Sequence, residues 1–86
     1  MAMKLWAKTI CGEKLQTNIV MENNLSLTRD NYETFLMDIC KELDIPTPVS
    51  LSVHFSYLYN FNIVKYLPRD FVDQVDFDFF TIENVE

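Results

Sequence analysis

Three groupings of side chains in this sequence have the types and spacing to do chemistry. The first is His54, the one histidine, with Asp70, Asp76 and Asp78 downstream. Imidazole is the side chain whose unperturbed titration falls near neutral pH, so acid–base chemistry would run through His54, with Asp70 or Asp76 fixing its tautomer. Such a base also needs a pocket, and a lone histidine in an apolar-alternating segment has the simpler role of a structural residue. The second grouping is Asp76 and Asp78, which on a strand would point to one face about 7 Å apart and offer oxygens to a hard cation. Phenylalanines intervene and no glycine-bearing loop accompanies them, which makes a solvated acidic face the plainer reading. Paired carboxylates also run glycoside hydrolysis, but that reaction needs a cleft that so short a chain rarely builds.

The third grouping is Lys4, Trp6 and Lys8, a basic–aromatic–basic row on which a nucleobase could stack. Lysines beside an aromatic equally serve to protect an exposed strand from aggregation. Of the two cysteines, Cys40 lies in a helical apolar stripe and reads as a small core residue. Cys11 sits in a turn near Lys8 and Lys14 with no histidine adjoining. There is no glycine-rich phosphate loop, no clustered cysteine/histidine metal site and no nucleophile–base motif.

The elements that must carry these groups follow from periodicity. Met3, Leu5 and Ala7 alternate with Lys4, Trp6 and Lys8, and Leu15, Thr17, Ile19 and Met21 resume the alternation after Cys11-Gly12-Glu13-Lys14. A β-hairpin over the first 21 residues is predicted, with the single glycine in its turn. Polar residues from Asn23 lead to an N-cap at Thr28 or Asp30, the latter forming a capping box with Glu33. Tyr32, Phe35, Leu36, Ile39, Cys40 and Leu43 fall on one helical face, giving a helix over about residues 29–44 that Pro46 and Pro48 end. Val49 to His54 reads as a strand, residues 55–61 as strand, helix or loop, and Asn62 to Leu67 as a further strand. Pro68 suits the start of a short helix anchored by Phe71, Val72 and Val75, and Phe77 to Glu83 reads as the last strand.

Composition bounds the rest. The 86 residues are 49% hydrophobic, with one glycine and three prolines, which is the make-up of one folded domain over 1–86. The net charge of −6 is concentrated beyond Arg69, where Asp70, Asp73, Asp76, Asp78, Glu83 and Glu86 face no further cation. That field repels phosphate backbones and anionic lipid, so nucleic acid is disfavoured as a partner. No apolar run approaches the 18 or so residues of a membrane span, and two unpaired cysteines without C-x-x-C spacing fit a reducing, cytoplasmic setting.

The segment Ile39-Cys40-Lys41-Glu42-Leu43-Asp44-Ile45-Pro46-Thr47-Pro48-Val49 follows Lys4 to Lys8 and precedes His54. With Phe61-Asn62, Pro68, Asp70-Phe71-Val72 and Val75-Asp76-Phe77-Asp78, it resembles a family of small uncharacterised proteins found mainly in Gram-positive anaerobic bacteria. The resemblance implies a free-standing cytoplasmic bacterial domain and assigns no activity or catalytic residue.

Together these readings predict a two-layer α+β domain, a mostly antiparallel sheet of four to five strands on one main helix with a short second helix. Trp6, Val20, Val64, Tyr66, Phe80 and Ile82 take the parity opposite the expected core positions, so a second apolar sheet face should need a cover. The favoured function is a non-catalytic protein-interaction or adaptor module, with a second copy of the chain among its candidate partners, Lys4, Trp6, Lys8, Tyr66 and Phe80 as contacts and no cofactor. Its alternatives are a small-ligand or metal-dependent enzyme using His54 with Asp70, Asp76 or Asp78, and an acidic decoy that occupies a nucleic-acid-binding protein.

Overall fold

Alternation of apolar and polar residues produces the hairpin it predicts. The computed structural model describes residues 3–23, 27–49 and 51–85. Strand β1 (Met3–Cys11) pairs antiparallel with β2 (Lys14–Asn23). Cys11 faces Lys14 across a two-residue turn in which Gly12 and Glu13 both take positive φ, 58° and 68°. Two positive φ values make the turn whose twist matches that of the strands, and only Gly12 enters it without a Cβ penalty. Thr9 faces Thr17 but Ile10 faces Leu15, so Gln16 is an extra residue, a β-bulge. The bulge carries Leu15 to the face opposite Thr17, Ile19 and Met21, where simple alternation had grouped all four.

Helix α1 (Arg29–Leu43) turns its apolar stripe inward, burying Tyr32, Phe35, Leu36, Ile39 and Cys40. Its capping box is Thr28 with Asn31, not Asp30 with Glu33. The Asn31 N–H donates to Thr28 Oγ1 at 3.2 Å, and the Thr28 N–H donates to Asn31 Oδ1 at 2.8 Å. At the other end Asp44 adopts a left-handed φ of 56° and the Ile45 N–H donates to the Cys40 carbonyl at 3.0 Å. Pro46 and Pro48 follow, as expected for a chain that cannot continue the helix. The polar turn expected between Asn23 and Thr28 lies largely outside the described residues.

Of the segment expected to be a strand from Val49 to His54, Ser52 to His54 are instead the start of a second helix, α2 (Ser52–Phe61). His54 and Leu58, four apart, are its buried positions, whereas Val53, Tyr57 and Tyr59 of the alternating set are exposed. Helical spacing also brings Phe55 to Tyr59 and Tyr57 to Phe61, with ring centroids 5.6 and 6.1 Å apart. Phe55 and Tyr59 share a parity that reads equally as strand or as an i, i+4 pair, so alternation alone could not separate the two. Asn62, with a φ of 64°, closes α2 and its N–H donates to the Leu58 carbonyl at 3.0 Å. The short helix expected at Pro68 is a single 3-10 turn, Pro68–Asp70.

Strand β3 (Ile63–Tyr66) follows α2, and β4 (Phe79–Asn84) comes last and inserts between β1 and β3. The order β2-β1-β4-β3 is antiparallel at every pairing. The sheet and two helices make the α+β architecture that the sequence predicts, with four strands. Leu5 and Ala7 of β1, Ile82 and Phe80 of β4, and Val64 and Tyr66 of β3 share the inner face and are buried beneath the helices. Val64, Tyr66, Phe80 and Ile82 therefore belong to the core, where sequence parity had put them on the second face. Because β4 begins at Phe79, two residues later than expected, Phe77 precedes the strand and packs edge-on against Phe71, ring centroids 5.3 Å apart.

Tyr66 is the junction of this core. Its hydroxyl hydrogen-bonds that of Tyr32 on α1, and its ring lies 4.4 Å from His54 and 6.0 Å from Phe80, centroid to centroid. Thr9, also fully buried, donates its one hydroxyl proton to Gln16 Oε1 at 3.2 Å and accepts from Thr17 Oγ1 at 2.6 Å. Among the described residues no helix is long and apolar enough to cross a membrane.

The helical register of residues 52–61 predicts unequal losses from two substitutions. Leu58→Ala should destabilise by about 2–5 kcal/mol, whereas Tyr59→Ala should lose about 1 kcal/mol or less in urea titrations. The reverse order is what a strand with Tyr59 inward would give.

Candidate functional site

The face of the sheet away from the helices is built from the even positions of β1 and their cross-strand partners. Three rows cross it. In the first, Leu15 of β2 pairs with Ile10 of β1, and Ile10 pairs with Phe79 of β4. In the middle row Asn18 pairs with Lys8, Lys8 with Thr81 and Thr81 with Lys65. In the third Val20 pairs with Trp6, Trp6 with Glu83 and Glu83 with Ile63. The outer face thus presents a cationic row between two largely apolar ones.

Each lysine of the middle row rests on an aromatic ring from a flanking row. Lys8 Nζ stands 3.9 Å from the Trp6 ring centroid and Lys65 Nζ 4.2 Å from that of Phe79. Such contacts contribute about 0.5–1 kcal/mol each at exposed sites, less than an ammonium gains from a charge-assisted hydrogen bond to an anion. The ion pair on this face is Lys4 with Glu22, 3.6 Å apart; among the described residues neither Lys8 nor Lys65 has a carboxylate in ion-pair range. Glu83, between Trp6 and Ile63, is the acidic residue on the diagonal from both lysines.

Between the lysines sits Thr81, only 5% exposed although it faces away from the core. Its Oγ1 is the buried side-chain oxygen that, among the described residues, finds no hydrogen-bond partner. A buried hydroxyl without a partner costs about 1–3 kcal/mol, and most folded chains avoid one. Thr81 lies in the floor of a hollow of about 500 Å³ whose walls include Lys8, Lys65, Phe79, Ile63 and Tyr57. Tyr57 reaches it from α2, beyond the β3 edge of the sheet. Next to Tyr57, Phe61 is 67% exposed, so apolar surface continues from the hollow onto the helix.

Of the residues singled out from sequence, Lys4, Trp6 and Lys8 lie together on this outer face, and the Trp6 indole N–H donates to Asn18 Oδ1 at 3.4 Å. Tyr66 and Phe80 do not join them. Both are fully buried on the inner face, because β4 and β3 enter the sheet in the opposite parity from the one assumed. Thr81 and Lys65 take their places, and pattern reading had no reason to choose a threonine whose significance is the lack of a partner.

His54 and the aspartates are not assembled into one site. His54 Nδ1 accepts the Leu51 N–H at 3.0 Å, an interaction that satisfies a free donor at the start of α2 and leaves the proton of the neutral ring on Nε2. Asp70 Oδ2 accepts the Leu67 N–H at 2.8 Å across the 3-10 turn. Asp78 Oδ2 accepts the Gly12 N–H at 2.7 Å and so fastens the hairpin tip to the start of β4. Asp76 is exposed in the bend before β4, not on a strand with Asp78. Among the described residues no three histidine, cysteine, aspartate or glutamate side chains gather to hold a metal ion. Cys11 is exposed and Cys40 buried, both as free thiols.

No family model matches this chain, and no curated protein or solved structure was found to match it either.

Two measurements follow. Thr81→Val keeps the shape and removes the orphan hydroxyl, so the variant should be more stable than the parent by about 1 kcal/mol; a loss of stability would mean that the hydroxyl is bonded. Burial pushes the Cys40 thiol from 9.0 up to about 12, partly offset by a hydrogen bond with Thr47. The folded state then holds its proton where the unfolded state releases it, so Cys40 favours folding fully below pH 9 and progressively less as the pH rises towards 12. The stability difference between the parent and Cys40→Ala should be flat up to about pH 8 and narrow above pH 9 in alkaline denaturation series.

Proposed function

We propose that this chain is a non-catalytic protein-interaction module that docks a partner on the outer face of its sheet. The observation that carries the reading is the uncovered face itself: Leu15, Val20 and Ile63 are exposed there beside Trp6, Lys8 and Lys65, and the exposed Tyr57 and Phe61 extend the patch. An apolar surface rimmed by charge on a small domain marks a contact surface more often than a solvated one. Trp6 and Tyr57 supply the large, stiff aromatic area that anchors interfaces, and the lysines supply direction. Support for a non-catalytic role comes from His54, Asp70 and Asp78, each of which accepts a backbone N–H at a turn or helix start. A reducing cytoplasmic setting in a bacterial cell is part of this proposal, in keeping with two free thiols.

Photo-crosslinking in the native cell tests it. A benzoylphenylalanine placed at Val20 should give a discrete adduct that disappears when Trp6→Glu is added, and the same probe at Met37 on the exposed side of α1 should give none. Equal adducts from both positions, or none from Val20, would refute the reading. An adduct of twice the chain mass would make the partner a second copy.

A further inference from the structure

The spacing of the three rows carries more than a general docking surface. Along β1 the rows are marked by Trp6, Lys8 and Ile10, each two residues on, so neighbouring rows lie about 7 Å apart. An extended peptide running along the strands projects every second side chain downward at the same interval. Its first such side chain would meet Val20, Trp6 and Ile63, with Glu83 between the last two, its second the lysine–threonine row, and its third Ile10, Leu15 and Phe79.

What the middle row wants is set by its chemistry. It offers two ammonium groups without ion-pair partners among the described residues and one buried, unpartnered hydroxyl able to donate. All three favour an anion. A polyanion is opposed by the net charge of −6, and a dianion by Glu83 on the same face. A single carboxylate has the least to overcome, because its attraction to Lys8 and Lys65 acts at contact distance, the repulsion from distant carboxylates is screened within about 8–10 Å, and it sets one charge against Glu83 where a dianion sets two. Trp6, Val20 and Ile63 in one flanking row and Ile10, Leu15 and Phe79 in the other favour apolar side chains on either side of it.

Resting on the docking reading above, we infer that this face recognises a partner segment of the pattern apolar–x–acidic–x–apolar in extended conformation, its carboxylate received by Lys8, Thr81 and Lys65. Thr81 Oγ1 donates to one carboxylate oxygen, and the two ammonium groups leave the Trp6 and Phe79 rings to reach the other. The freed rings then pack against the flanking apolar side chains. The Thr81 hydroxyl thereby acquires a partner, where it has none among the described residues of the free protein.

A pair of capped pentapeptides tests the inference: phenylalanine–serine–aspartate–serine–phenylalanine, and the same peptide with asparagine in the middle. Titrated into isotopically labelled protein, the aspartate peptide should shift the methyl resonances of Ile10, Val20, Ile63 and Thr81, and the asparagine peptide should bind at least about fivefold more weakly. Thr81→Val and Lys65→Met should each weaken the aspartate peptide by about fivefold, and Lys41→Met on α1 should leave it unchanged. Because Thr81→Val removes a destabilising group, its loss of binding cannot be put down to unfolding, which a thermal melt of the same sample verifies. Equal binding of the two peptides would overturn the carboxylate while leaving an apolar docking face. Absence of shifts from both peptides, alongside a Val20 crosslink, would overturn the spacing and leave the docking. Inorganic phosphate binding at Thr81 as tightly as the peptide would assign the row to a free anion, and a dimer that Lys8→Met dissolves would assign it to a second copy; either result defeats the inference.

Discussion

A sheet has two faces, and in this chain helical cover is supplied to one. Helices α1 and α2 lie on the inner face with Tyr32, Phe35, Leu36, Ile39, Leu58 and His54 turned into it, and the loop before β4 adds Phe71 and Phe77. Everything of functional interest follows from that asymmetry. The inner face can hold the large residues Tyr66 and Phe80 at zero exposure because two helices and a loop close over them. The outer face must be tolerable in water by itself, and lysines laid over Trp6 and Phe79 do part of that work, shielding ring faces with a charged but solvated head.

The insertion of β4 between β1 and β3 is what gives the outer face its composition. Were β4 at an edge, Thr81 would have one neighbour; as the third strand of four, it has Lys8 on one side and Lys65 on the other. Two cations on the strands that flank one threonine are an electrostatically awkward arrangement in the free protein. Their heads diverge along the strands, one towards Trp6 and the other towards Phe79, which separates the charges and gives each a ring. The same topology joins residues 8, 65 and 81, which nothing in the order of the chain connects.

Local patterning made much of this fold legible. The hairpin, its glycine turn, α1 and the proline stop after it could be read because each rests on a repeat or a cap confined to a few neighbouring residues. The strand expected from Val49 to His54 failed, and residues 55–61 stayed open between strand, helix and loop, because Val53, Phe55, Tyr57 and Tyr59 alternate perfectly while His54 and Leu58 define the helical face with only two positions. Phe55 is half-buried against Tyr32, but Tyr57, Tyr59 and Phe61 are surface residues, and equating apolar with buried inverts the face. Parity in β3 and β4 failed for a related reason. Strand phase is settled by register against neighbours, and a shift of one residue exchanges core for surface, as it did for Tyr66 and Phe80. Lys4, Trp6 and Lys8 could be found from sequence because they lie on one strand, whereas the site that Lys8 joins could not.

Thr81 illustrates how an unfavourable residue can still make sense in a small domain. Valine has the same shape, favours a strand at least as well and would leave no hydroxyl without a partner. In a chain of 86 residues, where total stability is on the order of 5–10 kcal/mol, the penalty for that hydroxyl is a sizeable fraction of the whole. A penalty present in the free state and relieved in a complex adds to the difference between the two states, and so favours binding. Asp78 shows the contrary case. It too is a polar group in the middle of an aromatic run, but its carboxylate accepts the Gly12 N–H at 2.7 Å and needs no outside partner. The distinction between the two is one of hydrogen-bond accounting, and it separates a residue that completes the fold from one that the fold leaves incomplete.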